Sequence, residues 1–201
     1  MKSLHRPDLY AWSTFDEARN VDFHAVCWVR EHGNVVVDPL PLSPHDLAHL
    51  AEVGGVDHII VTNSDHVRAA AALKERFGAL VYGPAAERGA FAADRWVDEG
   101  EIVPGLDAIV LHGSKTPGEL ALVLQRETLI TGDLVRAHRA GALMMLPDGK
   151  LTDRAAAVRS VHRLASLPDV DAVLVGDGWQ VFAGGGRLLR ELASRLGEPV
   201  A

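Results

Sequence analysis

The residues whose types suit chemistry lie in loops that follow short apolar runs. Asp38 ends Asn34-Val-Val-Val-Asp38, and Thr62-Asn63-Ser64-Asp65-His66 stands between an apolar run and an alanine-rich one. Gly113-Ser114-Lys115-Thr116-Pro117-Gly118-Glu119, Thr131-Gly132-Asp133 and Gly176-Asp177-Gly178 follow. Carboxylates in such loops can act as general bases or ligate a hard metal ion, and a lysine among them can steady an oxyanion. The same residues also have plain structural uses. Asn63 or Ser64 can cap a helix, with Asp65 favoured by its dipole. Gly113, Pro117 and Gly118 form turns, Asp133 and Asp177 can cap them, and His66 is expected to be a solvated side chain of a first helical turn.

Elements must bring these loops together. Tyr10 and Trp12 alternate, His24–Arg30 is a longer apolar run, and Glu31-His32-Gly33-Asn34 supplies a turn, so the chain begins with antiparallel strands. Ser43-Pro44-His45-Asp46 reads as a helix start. A strand His58–Thr62, a helix Val67–Phe77 closed by Gly78 and a strand Ala79–Tyr82 come next. Strands Asp107–His112, Glu119–Gln125 and Thr128–Thr131, a helix Asp153–Ala165, a strand Asp171–Val175 and a helix Arg187–Arg195 complete a layered α/β pattern.

The 201 residues suit one domain spanning 1–201, and 20 basic against 27 acidic residues give a net charge of −7. That balance argues against a nucleic-acid binder, which needs a basic face. One cysteine, Cys27, excludes a disulfide framework and a multi-thiolate metal site. No apolar run approaches a membrane span and Met1–Tyr10 lacks the apolar core of a signal peptide, so a soluble, cytoplasmic protein is expected.

Taken in order, the five loops resemble those of the metallo-β-lactamase superfamily, from about residue 8 to 190. The resemblance implies a four-layer αββα sandwich. In the family the first loop reads T-H-x-H-x-D-H, the next P-G-H-T-P-G, then G-D, then G-H-G, and these side chains hold one or two metals that activate water. Aligned without gaps, Asn63 and Asp65 stand for the first two histidines, and Val67 and Arg68 for the D-H pair. Lys115 stands for the third histidine, Asp133 is retained, and Asp177 replaces the last histidine. A gapped alignment would set Asp65 and His66 on the D-H pair, making Asp65, His66 and Asp133 part of one metal site. Asp38 would support the metal loop from behind.

The resemblance implies a pocket at the degenerate metal-site positions Asn63, Asp65, His66, Arg68, Lys115, Asp133 and Asp177, in which the three aspartates are joined by Lys115 and Arg68. An ammonium about 4 Å from a dication costs roughly 8 kcal/mol at an effective dielectric of 20. No cofactor is therefore expected; a divalent metal (manganese, magnesium or zinc) held by Asp65, Asp133 and Asp177 is the alternative. The expected function is a small-molecule binding site or a relic of one. The competing reading is a hydrolase of esters, thioesters, lactones or phosphoesters using an atypical metal or acid–base catalysis. Arg136, His138 and Arg139 form a basic cluster whose expected state is solvated. Leu143, Met144, Met145 and Leu146 could form a homodimer surface or an inner wall.

Overall fold

The computed structural model describes residues 1–197; the last four of the 1–201 span lie outside the described residues. The first sheet runs in chain order through β1 (Lys2–Ser3), β2 (Leu9–Asp16), β3 (Val21–Trp28), β4 (Val35–Val37), β5 (His58–Ile60), β6 (Leu80–Pro84) and β7 (Arg95–Val97). β1 to β4 pair antiparallel and β4 to β7 parallel. Helices α1 (Pro44–Glu52) and α2 (Ala70–Phe77) make the parallel crossovers. The second sheet is built from β8 (Gly100–Val103), β9 (Leu106–Leu111), β10 (Glu119–Leu124) and β11 (Thr128–Thr131). The hairpin β12 (Val135–Arg139) and β13 (Ala142–Met145), helix α3 (Arg154–Ala165), β14 (Ala172–Val175) and α4 (Gly185–Leu196) complete the chain. β14 joins the second sheet beside β11, in parallel.

Side-chain alternation divides the core into three layers of contact. Along β3, Ala25 and Cys27 pack with Leu50 of α1 and Leu73 of α2, whereas Val26 and Trp28 face the other sheet. Along β10, Leu120, Leu122 and Leu124 face that same intersheet core, and Ala121 and Val123 turn to the layer of α3 and α4. This is the αββα sandwich. No helix among the described residues is long and apolar enough to cross a membrane.

α1 starts as its sequence dictates: Ser43 Oγ accepts from Asp46 N at 3.1 Å, with Pro44 in the first turn. α2 begins three residues later than the alanine-rich run predicts. Arg68 lies in the left-handed region at φ 40°, which stops a continuous helix from Val67. Asn63 therefore caps a separate 3₁₀ turn, Ser64–His66, its Oδ1 accepting from Asp65 N at 3.0 Å, and α2 has no side-chain cap. The hairpin β12–β13 escapes the sequence reading. It lays Leu143, Met145 and the following Leu146 against Val161 of α3 and Leu189 of α4, so these three residues of the apolar run form an inner wall, while Met144 is half-buried.

The consequence for function is positional. Asp38, Asn63, Lys115, Asp133 and Asp177 follow the C-terminal ends of β4, β5, β9, β11 and β14, so five strand ends from both sheets deliver them to one edge. The sheets are tied there by His24 N, which donates to Gly176 O at 3.0 Å.

Candidate functional site

Asp133 is the hub. Its Oδ2 accepts from Asn63 Nδ2 at 3.0 Å, and lies 3.0 Å from Lys115 Nζ and 3.4 Å from His66 Nε2. Its Oδ1 accepts from Arg136 Nη2 at 3.1 Å. Burial alone would raise the carboxyl's pKa, but the hydrogen bond and charge of His66, with the Lys115 ammonium, hold it well below the usual carboxylate range. Lys115 also reaches Asp65 Oδ2 at 2.7 Å. Burial disfavours its charge, yet Asp65 and Asp133 together raise its pKa.

His66 is buried, contrary to the solvated side chain expected, because the 3₁₀ turn points it inward. Its Nδ1 lies 2.7 Å from Asp38 Oδ2, and Asp38 accepts from Thr62 N and Thr62 Oγ1 at 2.8 and 2.6 Å. Burial pushes the imidazole pKa down, but the charges of Asp38 and Asp133 outweigh it and raise the value to about 9. Asp38 thus supports the site from behind.

Asp177 joins the network through Arg136, whose Nη1 is 3.1 Å from Asp177 Oδ2, with His138 Nε2 at 2.9 Å on the same oxygen. Arg136 was expected to be solvated; the structure buries it as the bridge between Asp133 and Asp177. Arg68, expected among the aspartates, donates instead to the carbonyls of His24 and Asp38, both at 3.3 Å, and lies over the Phe23 ring.

Two further acids were given no role by the sequence reading, although Glu119 ends the Gly113–Glu119 loop. Glu119 heads the wholly buried strand β10 and accepts from Ser114 Oγ at 2.5 Å and Leu134 N at 2.9 Å. Burial and the Asp133 charge raise its pKa to about 7. Glu87 accepts from Ser64 N and from Gly118 N, the latter at 3.2 Å, and so pins the Asp65 loop to the Lys115 loop. A charged residue at the head of an otherwise apolar strand was the available signal for Glu119; Glu87 gave none.

Above this floor opens a cavity of about 650 Å³, lined by Asp65, His66, Arg68, Lys115, Asp133, Arg136 and Asp177 among others. Asn63 and Asp38 lie beneath it, buried. The candidate residues therefore share one place, with Asn63 and Asp38 under the floor rather than facing the cavity.

A family model described as the metallo-beta-lactamase superfamily matches residues 1–196. The chain belongs to the metallo-β-lactamase superfamily. Hydroxyacylglutathione hydrolase from Rhizobium meliloti (strain 1021) is 30% identical over 139 residues, 59% of this chain and 47% of that protein. The chain thus spans about half the length of that curated relative. Among solved structures, ETHE1 from Myxococcus xanthus superposes with a TM-score of 0.69 at 24% identity, over 92% of this chain and 85% of that one. FIM-1 from Pseudomonas aeruginosa, in its mono-zinc form, gives 0.71 at 13% identity, over 93% and 90%.

This membership corrects one expectation. The absence of a cofactor cannot be expected of a metallo-β-lactamase superfamily member, and FIM-1 is described with zinc. The donor set as folded here nevertheless does not fit a dication. An ammonium lies 3.0 Å from Asp133 and 2.7 Å from Asp65, and Arg136 separates Asp133 from Asp177. Among the described residues no three His, Cys, Asp or Glu side chains, Asp65, Asp133 and Asp177 included, are gathered as a metal would require.

Proposed function

We propose that the cleft of this metallo-β-lactamase-like chain is a small-molecule binding site whose floor is an Asp/Lys/Arg network. The observation that carries the reading is the seating of Lys115 between Asp65 and Asp133 directly beneath the cavity. A concave cavity over a few convergent polar groups is what a small ligand needs. Lys115, Arg136 and a protonated His66 neutralise the hub carboxylates, which fixes the floor without help from the ligand. The test is a thermal-shift and NMR screen of small acids, esters and thioesters against the wild type and Lys115→Met. Ligands that perturb cleft residues and lose affinity in Lys115→Met support the reading; binding confined to other surfaces contradicts it.

A hydrolase is the second reading, favoured by the likeness to hydroxyacylglutathione hydrolase. Water would add to the carbonyl carbon of a thioester and the C–S bond would break, releasing acid and thiol. The assay follows thiol release from a hydroxyacylglutathione, with protein as purified and after incubation with zinc. Turnover lost in Asp133→Ala would favour the hydrolase over a pure binding role.

A further inference from the structure

Outside the cleft, β2 and β3 set a hydroxyl against an imidazole. Ser13 and His24 are direct partners across the ladder, and Ser13 Oγ lies 2.8 Å from His24 Nδ1. The other ring nitrogen, Nε2, is 2.6 Å from the carbonyl oxygen of Gly178. A carbonyl only accepts, so Nε2 carries a proton. Burial holds the pKa of the ring below its ordinary 6.5, which leaves Nδ1 bare at about pH 7. The Ser13 hydroxyl therefore donates to an unprotonated imidazole nitrogen. A hydroxyl bonded to a base that a third group orients is the arrangement of an activated nucleophile.

Strand register explains the contact. His24 N donates to Gly176 O at 3.0 Å, away from β2, so Ser13 and His24 form one of the ladder pairs that exchange no backbone hydrogen bonds. Side chains approach most closely in such pairs. The same geometry turns the Ser13 N–H outward, to the edge of β2 that β1 covers only at Tyr10 and Ala11. Ser13 is exposed, and neither it nor His24 is among the residues that line the cavity. Two exposed aromatic side chains stand nearby. Phe15, 53% exposed, is two residues along the same face of β2, and Trp179, 62% exposed, follows Gly178 in the chain.

We propose that Ser13 is an acyl-accepting nucleophile with His24 as its general base, and that it takes the acyl group of an aryl ester. This goes beyond the cleft reading and does not rest on it. Ser13 Oγ adds to the ester carbonyl carbon and its proton passes to His24 Nδ1. The C–O bond to the aryl group then breaks, and the phenol leaves with the proton from His24. The Ser13 N–H on the open strand edge is the donor for the charge that develops on the carbonyl oxygen. Phe15 and Trp179 supply the apolar surface that an aryl group needs. Water adding to the acyl carbon in a second step releases the acid and restores the hydroxyl.

The probe is p-nitrophenyl acetate, followed by nitrophenol release and by mass spectrometry of the digested protein. An acetyl group is expected on Ser13, formed roughly a hundredfold faster than on Ser3, an exposed serine of β1 with no imidazole partner among the described residues. In His24→Gln the acetylation of Ser13 should slow by roughly a hundredfold, the low end of what a general base supplies. Ser13→Ala, at an exposed position, should fold and lose the fast phase of nitrophenol release, and Phe15→Ala should slow that phase with the Ser13–His24 pair intact. The comparison of Ser13 with Ser3 within the wild type decides the matter even where His24→Gln fails to fold. Acetylation of Ser13 no faster than of Ser3, or a fast phase that survives in Ser13→Ala, overturns the proposal. So does an unchanged rate at Ser13 in a folded His24→Gln.

Discussion

His66 Nδ1 lies 2.7 Å from Asp38 Oδ2, and both side chains are buried. This contact aims the opposite ring nitrogen, Nε2, at Asp133, 3.4 Å away. Asp38 is itself held by the backbone and hydroxyl of Thr62, so a strand-end acid orients an imidazole that in turn meets the hub carboxylate. The same arrangement makes stability depend on pH.

The folded state holds the proton of His66 up to about 9, against an ordinary value of 6.5. Its contribution is fully present below 6.5 and is lost as pH rises through about 9. Glu119, raised from 4.5 to about 7, also keeps its proton longer in the fold, so its contribution falls away between those values. Asp133 is depressed, and its contribution is lost as pH falls below 3.8. Melting temperature should therefore decline from mildly acidic pH toward pH 9. His66→Gln should flatten the upper part of that decline and Glu119→Gln the lower part; a melting profile unchanged by either would contradict these assignments.

Arg136 and Lys115 both bind Asp133, but their burial differs: the Arg136 side chain is 7% exposed and the Lys115 side chain 28%. Removing one partner of a buried pair costs about 3–5 kcal/mol, whereas an exposed pair is worth about 0–1 kcal/mol. Arg136→Met, which strands both Asp133 and Asp177, should fall in the first range. Lys115→Met should cost about 1–2 kcal/mol, between the two cases. Urea unfolding of the two variants checks the order, and a larger loss for Lys115→Met would reverse it.

The strands and turns that carry this site were legible in the sequence because turn chemistry and strand alternation are local. They place Asp133, Asp177 and Lys115 in loops after short apolar strands, whereas the expectation that these residues meet came from the resemblance to the family and not from that placement. His66 was placed at the pocket but expected to be solvated; its burial was missed because Arg68 adopts a left-handed backbone that breaks the alanine-rich helix, and helical periodicity carries no trace of that. Arg136 was seen only as one of a basic cluster. Its role depends on β12 leaving the β11 turn so that residue 136 returns over Asp133, a tertiary relationship. Arg68 was placed among the aspartates by the ungapped alignment, which sets it on the family's D-H pair, while the fold sends its guanidinium to carbonyls.

Gly113 marks where the Lys115 loop meets α3. At φ 81° its Cβ position would lie 2.1 Å from Asp153 O and 2.4 Å from Ala157 N, both backbone atoms that cannot swing aside. Asp153 also caps α3, its side chain accepting from Ala156 N at 3.0 Å. Gly113→Ala should therefore push the helix start away from the loop and destabilise the fold by more than about 2 kcal/mol, in the range of severe backbone strain. Gly149→Ala, with nothing within 4 Å of the added methyl, is the control and should be near neutral in the same thermal unfolding measurement.

Glu87 is the least conspicuous member of the site and offers the sharpest separation of architecture from chemistry. It is 2% exposed and touches none of the hub side chains, yet its two carboxylate oxygens accept the Ser64 and Gly118 backbone N–H groups. Those amides belong to the loops that carry Asp65 and Lys115, whose ion pair spans 2.7 Å. Glu87→Ala leaves two backbone donors without an acceptor, at about 1–3 kcal/mol for each that stays dry. Glu87→Gln can still accept from one of them, so it should lose less. Amide hydrogen exchange is the measurement that fits the claim: protection should fall at Ser64 and Gly118 together in Glu87→Ala. Loss at one amide alone would mean that the two loops are held independently, and that the Asp65–Lys115 pair, rather than Glu87, joins them.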